Sequence, residues 1–234
     1  MKLQIHPSII ELFPSVKLGL VVGRDINNPP KSPEDVIAAM RQVEKKLMMS
    51  CPTTEELTKH PTIDDWCKAY RTFGFKPNQH RSSVEALCRR VIQAKGFPEI
   101  STVVDIYNTL SVKHMMPIGG DDIDCVYGDI VLTIADGTEH FVMLGEKVGK
   151  IKKGEVVYKD DKEVLCRSWN YREAEKSKIT EATKNLVLVC EGLEHTSKED
   201  LEAALTELKN TLEKHCKGSY KLFFLDQDNV EASF

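Results

Sequence analysis

No run of 18 or more apolar residues occurs in the 234-residue chain, so no segment reads as a membrane-spanning helix. The N-terminus, MKLQIHPSIIELFPSVKLG, lacks a continuous apolar stretch and a small-residue cleavage site, so no secretory signal is expected. The seven cysteines (51, 67, 88, 125, 166, 190 and 216) stand singly, with no C-x-x-C and no Cys/His pair at zinc-ligand spacing. Such a set suits reduced thiols, buried as small hydrophobes in a reducing compartment. The expectation is a soluble, cytoplasmic protein with no metal and no cofactor. G-x-x-x-x-G-K-[ST], G-x-S-x-G and H-E-x-x-H are all missing. P-loop nucleotide hydrolysis, a serine nucleophile of the elbow type and a zinc peptidase therefore have no support. Internal repeats, low-complexity tracts and linkers are absent as well, which favours one domain over residues 1–234.

What is present is ordinary in bulk: 41% hydrophobic and 29% charged residues, enough for a substantial core without staples. The net charge of −4 argues against coating nucleic acid by bulk electrostatics, and no DNA or membrane partner is expected. The charge is uneven, however. Residues 71–96 hold Arg71, Lys76, Arg81, Arg89, Arg90 and Lys95 against Glu85 alone, residues 97–144 are strongly acidic, and 145–190 turn basic again. The two basic segments form either one anion-binding face or separate solvated surfaces.

Periodicity predicts helices first. Ser32-Pro33-Glu34-Asp35 reads as an N-cap and acidic first turn, followed by Val36, Ile37, Met40, Val43, Leu47 and Met48 at helical spacing. A second helix is expected over 55–73, interrupted at Pro61. A third starts at Ser82 with a capping box to Glu85 and stops at Gly96; a fourth spans 102–111. Then the period changes. Segments 129–134 and 139–144 flank Asp136-Gly137 and predict a hairpin; 155–159 and 163–167 predict another around Asp160-Asp161. An apolar strand at 186–190, a Ser197-capped helix with a leucine stripe and a strand at 220–225 predict a βαβ unit. That leucine-striped helix covers either the sheet or a second subunit. The class expected is α+β, with a mixed sheet and flanking helices.

Four polar stretches interrupt this scaffold. In Tyr70-Arg-Thr-Phe-Gly-Phe-Lys-Pro-Asn-Gln-His-Arg-Ser-Ser83, a cationic loop enters a helix N-terminus, where free N–H groups favour an anion. Lys76, Arg81, Ser82 and Ser83 are the candidates for phosphate or carboxylate; a capped, solvated loop is the alternative. In Val103-Val-Asp-Ile-Tyr-Asn108, Asp105 and Asn108 share a helix face, for a site or for a network tying helix to loop. In Met116-Pro-Ile-Gly-Gly-Asp-Asp-Ile-Asp124, Gly119 and Gly120 allow close backbone approach, while the aspartates lack a calcium-loop pattern. In Cys166-Arg-Ser-Trp-Asn-Tyr-Arg-Glu173, Arg167, Asn170, Arg172 and Glu173 crowd two aromatics, a composition suited to gripping carboxylate or phosphate or to a surface ion-pair cluster.

Taken in order, YRTFGFKPNQHRSSVEALCRRV, VVDIYNTLSVKHMMPIGGDDID and GEVVYKDDKEVLCRSWNYRE resemble freestanding proteins built on the B3/B4 domain of the bacterial phenylalanyl-tRNA synthetase β subunit. The resemblance covers residues 60–190 directly, with 1–60 as an N-terminal helical extension and 186–226 as a strand–helix–strand extension. It implies a β-sandwich-like core and an editing site that hydrolyses the ester between a wrongly attached amino acid and the tRNA 3′ end. Freestanding relatives are described as tRNA-binding or as candidate trans-editing factors. Class II synthetase motifs are missing, so aminoacylation is not expected. Asp105 and Asn108 match the Val-Asp-x-x-Asn of that pattern, and Glu173 falls near its pocket glutamate. Its Pro-x-His becomes Pro117-Ile118-Gly119, without the histidine.

On this resemblance a positioned water would cleave the ester. Gly119 and Gly120 would lie near it, and Asn108, Asn170 and Glu173 would bind the amino acid or the water. Arg81, Arg167 and Arg172 would hold phosphates and adenosine, and Trp169 or Tyr171 would stack on the terminal base. The alternatives are a non-catalytic RNA-binding module, or an amino-acid or small-molecule binder that kept the pocket.

Overall fold

In the computed structural model, which describes residues 1–145 and 147–234, the chain opens with β1 (Lys2–Ile5), α1 (Pro7–Leu12) and β2 (Lys17–Arg24). A helical stretch follows: α2 (Glu34–Ser50), α3 (Thr54–Leu57), α4 (Pro61–Thr72), α5 (Ser83–Ile92) and α6 (Thr102–His114). The strands β3 (Ile118–Asp122), β4 (Ile130–Ile134), β5 (Val142–Met143), β6 (Lys147–Val148), β7 (Val156–Lys159), β8 (Val164–Arg167) and β9 (Arg172–Glu173) come next. The chain ends with β10 (Leu186–Gly192), α7 (Lys198–Cys216), β11 (Ser219–Leu225) and β12 (Glu231–Ser233). This is the expected α+β class, with a mixed sheet and flanking helices.

Two sheets face each other. One runs β12-β1-β4-β7-β8-β9, the other β11-β2-β10-β3, and β5-β6 form a separate ribbon. β1 runs parallel to β4, the one parallel pair among the described residues; the other pairs are antiparallel. Strand alternation divides the apolar residues between two cores. From β2, Leu18, Leu20 and Val22 point between the sheets, and from β10 Val187 and Val189 do the same. Val21, Leu186, Leu188 and Cys190 point the other way, into a core closed by α2, α5, α6 and α7. Helix α4 serves both: Trp66 and Tyr70 enter the inter-sheet core, Ile63 and Cys67 the helical one.

Several expectations change. Ser32 does not cap α2, whose N-cap is Pro33; its hydroxyl binds Asp105 instead. Residues 1–60, expected as a helical extension, also supply β1 and β2, one strand to each sheet. The hairpin across Asp136-Gly137 does not form. Glu139 turns its carboxylate back onto the N–H groups of Asp136 and Gly137, at 3.0 and 2.9 Å. The turn is satisfied locally, and β4 pairs with β1 and β7. The second predicted hairpin is present as β7–β8. β10 and β11 are joined through α7 but separated by β2, so the βαβ unit is split. The leucine face of α7 covers the four-stranded sheet: a Cβ on Gly19 of β2 would lie 2.3 Å from Leu205.

Candidate functional site

The alternation that builds the inter-sheet core also carries acids into it. Glu191 has the same parity as Val187 and Val189 on β10. Gly119 pairs with Val189 and Asp121 with Val187, so Asp121 faces the same side. From the opposite sheet Glu173 pairs with Cys166. Gly119, Asp121, Cys166, Glu173, Val189 and Glu191, together with Leu3, Ser83, Gly120, Ile130, Tyr158, Trp169 and Asn170, line a cavity of about 30 Å³. Gly119, Gly120, Ser83 and Glu173 are half-buried and form its mouth, whereas Leu3, Ile130, Trp169 and Glu191 are buried and form its back.

A hydrogen-bond relay holds the back wall. Tyr70 donates from its hydroxyl to Asn170 Oδ1 at 3.0 Å, and Asn170 Nδ2 donates to Glu191 Oε2. Glu191 Oε1 accepts from the Tyr158 hydroxyl at 2.6 Å. These donors favour the carboxylate, but burial outweighs them and pushes the Glu191 acid up to about 7. Burial, with help from neighbouring acids, lifts Asp121 to about 6. Burial and the nearby Asp121 also push Glu173 well above the ordinary carboxylate range. Ser83 Oγ, Asp121 Oδ1 and Trp169 Nε1 have no hydrogen-bond partner among the described residues, and all three side chains line this cavity.

On the other side of α5 lies an open basic cleft of about 350 Å³, lined by Arg81, Arg89, Arg90, Lys95, Tyr171 and Arg172 with Gln79, Ala86 and Gln93. It brings the two basic segments of the sequence to one surface. The partition between cleft and cavity is thin: Arg81 lines the former and Ser83 the latter, and the neighbours Arg172 and Glu173 divide in the same way. Ser82 between them caps α5, accepting from Glu85 N, while the Glu85 carboxylate pairs with Arg89 at 2.7 Å and Arg81 at 3.5 Å. The capping box is therefore only half made. Lys76 is exposed on the loop that leads in.

Three of the expected site residues have other employment. Trp169 is fully buried and packs edge-on against Trp66 and Phe13, with ring centroids at 5.1 and 4.9 Å, so it cannot stack on a base. Ser168 and Trp169 are both left-handed (φ 46° and 66°), a turn that swings the indole inward. The turn is held by Trp169 N to Val156 O at 2.7 Å and Ser168 Oγ to Glu155 at 2.8 Å. Arg167 grips the buried Glu155 bidentately at 2.9 and 3.0 Å and is not free for phosphate. Asp105 accepts from Ser32 Oγ at 2.7 Å and Ile100 N at 2.9 Å, which ties α6 to its neighbouring loops. Asn108 is buried on α6 and does not line the cavity.

Glu191, Tyr158 and Tyr70 are the residues that sequence reasoning missed as site members. The parity of an acid within LVLVCEG was the available signal for the first. The group of described His, Cys, Asp and Glu residues able to share a metal ion lies elsewhere: Asp65, Glu194 and His195. There both Asp65 oxygens already bind His195, through N and Nδ1 at 2.8 Å each, a turn anchor in form.

The B3/4 domain family model matches residues 65–217. Over 150 residues, 62% of this chain and 18% of the relative, the sequence is 26% identical to the phenylalanine–tRNA ligase β subunit of Fusobacterium nucleatum. Over 93 residues, 40% of this chain and 12% of the relative, it is 30% identical to the corresponding subunit of Psychrobacter arcticus. The chain thus spans at most 18% of the length of these two relatives. An N-terminal fragment of the phenylalanyl-tRNA synthetase β subunit from Pyrococcus horikoshii aligns over 96% of this chain and 53% of its own, with a TM-score of 0.46 and 15% identity. With well over half its length matched by the family model, this chain belongs to the B3/4 domain family.

Proposed function

We propose that this protein binds the aminoacylated 3′ end of a tRNA and hydrolyses the ester there with a water held against buried carboxylates. The observation that carries this reading is the shared wall between a basic cleft and an acidic cavity, with Arg81 and Arg172 on one side and Ser83 and Glu173 on the other. Phosphates enter the cleft, whose arginines position the RNA without reading its sequence. Beside it runs an aromatic stack: Lys152 lies 5.2 Å over the Phe75 ring, and ring centroids stand 4.4 Å apart for Phe75 and His80 and 5.0 Å apart for His80 and Tyr171. The ester then lies at the mouth beside Gly119. An acyl ester is already activated, so a positioned water and a base suffice. Glu173 stands nearest that mouth, while Glu191, held by Tyr158 and Asn170, braces the back wall. The relatives are named for a tRNA ligase, but this chain corresponds to a small part of them, and no ligase activity is proposed. The expected place of work is the cytoplasm, where tRNA is charged.

A second reading, a non-catalytic RNA-binding module, is favoured by the cavity's size. About 30 Å³ holds a water or two, not an amino-acid side chain. One experiment separates the two: incubate the protein with a panel of correctly charged and mischarged tRNAs. Catalysis predicts faster deacylation of at least one, lost in Glu173→Gln with tRNA affinity retained. Salt-sensitive binding with no acceleration of any ester leaves the binding module.

A further inference from the structure

The acid-lined cavity is matched in size and polarity to one chemical group. Its volume of about 30 Å³ suits a water-sized group. Its polar walls include three carboxylates, Asp121, Glu173 and Glu191, and no Lys or Arg lines it among the described residues. Two acceptors aimed into it, Asp121 Oδ1 and Ser83 Oγ, have no partner. Asp121 is only 7% exposed, so this acceptor is not served by bulk solvent. Glu173 Oε1 crosses the mouth toward Gly119, where an added Cβ would stand 3.0 Å from it. Buried acceptors without partners call for a compact group with several N–H donors. A primary ammonium is that group.

Resting on the reading that the acyl ester lies at this mouth, we propose that the cavity receives the free α-ammonium of the esterified amino acid, so that the protein selects aminoacyl-RNA over N-acylated aminoacyl-RNA. The ammonium nitrogen sits two bonds from the ester carbonyl carbon, so the cavity would hold the carbonyl at its mouth, where the hydrolytic water lies against Glu173, while the side chain stays outside. Recognition would then depend on the amine and be tolerant of the side chain.

The test uses a CCA-ending RNA hairpin carrying alanine in ester linkage, the same hairpin carrying N-acetylalanine, and the uncharged hairpin. The full-length protein is expected to bind the free-amine form at least ten-fold more tightly than the acetylated form. Asp121→Asn, nearly isosteric, and Gly119→Ala, which narrows the mouth, are expected to reduce that ratio toward one while thermal melts and uncharged-hairpin affinity confirm a folded protein. Equal affinity for the two charged hairpins overturns the inference and leaves RNA binding standing. If no hairpin binds at all, the RNA reading fails. The inference is then decided with alanine methyl ester against N-acetylalanine methyl ester, where equal shifts in melting temperature overturn it.

Discussion

The hydroxyl of Tyr158, on one sheet, donates to Glu191 Oε1, on the other, at 2.6 Å across the buried space between them. Although Glu191 accepts this bond and a second from Asn170, burial holds its acid at about 7 against an ordinary 4.5. The folded form therefore keeps a proton that the unfolded chain releases. Its contribution to stability is complete below about pH 4.5 and is lost as pH rises through about 7. Asp121, raised from 3.8 to about 6, acts in the same direction.

The expected outcome is a urea-derived stability that falls by about 3–5 kcal/mol between pH 5 and pH 8. Glu191→Gln should flatten part of that slope and stabilise the protein at pH 8. Asn170 can turn its amide to offer Oδ1 to the new glutamine, with Tyr70 then accepting from Nδ2. A stability that rises over the same pH interval in the wild type would contradict the raised acids.

How much of this was legible in the sequence depends on whether local chemistry or distant packing decides the outcome. The α5 N-terminus, the β7–β8 hairpin and the α7 cap at Ser197 follow from residues within a few positions of one another, and each is where its pattern predicts. The two basic segments could be seen as segments, but their meeting at Arg81 and Arg172 needed the fold. The inward position of Trp169 is not legible in the sequence, because the left-handed turn at Ser168 and Trp169 has no glycine to announce it. The parity of Glu191 within LVLVCEG marks an inward acid, but what it does there is visible only once the facing sheet supplies Tyr158. Asp136-Gly137 does turn the chain, yet Glu139 uses the freed N–H groups, so no ladder starts there.

Two arginines of one sequence motif should behave differently. Arg172 is exposed and lies over the Tyr171 ring at 4.3 Å in the basic cleft, so Arg172→Ala is expected to leave stability within about 0.5 kcal/mol. RNA affinity should drop, and the slope of log affinity against log salt should fall by about one. Arg167→Ala instead strands the buried Glu155 and should cost about 3–5 kcal/mol. Filter binding at several salt concentrations and urea melts of both variants measure the contrast. Equal loss of stability in the two would remove it.

Asp105 is expected from the sequence to bind substrate or RNA, yet it ties a helix to its loops. Asp105→Ala should lower stability by about 1–3 kcal/mol, because Ile100 N and Ser32 Oγ lose their acceptor. At a temperature where the variant stays folded, tRNA affinity and deacylation rate should match the wild type. A rate loss greater than ten-fold in a fully folded variant would return Asp105 to the site.

The fit of α7 onto the four-stranded sheet rests on Gly19, because an added Cβ there would stand 2.3 Å from one Leu205 methyl and 2.8 Å from its Cγ. Gly19 is in a strand and not at positive φ, so alanine would suit the backbone well; the obstacle is packing alone. Leu205 is fully buried among the α7 residues Leu201, Ala204 and Leu208, and it cannot swing into solvent. Gly19→Ala is therefore expected to destabilise by about 1–3 kcal/mol through overpacking. Leu205→Ala alone should cost about 2–5 kcal/mol through a cavity. The double variant should lose less than the sum, since the new methyl occupies part of the space that the leucine leaves. Urea melts of the four proteins give the coupling. Strict additivity would mean that the helix rides over the sheet without this contact deciding its distance.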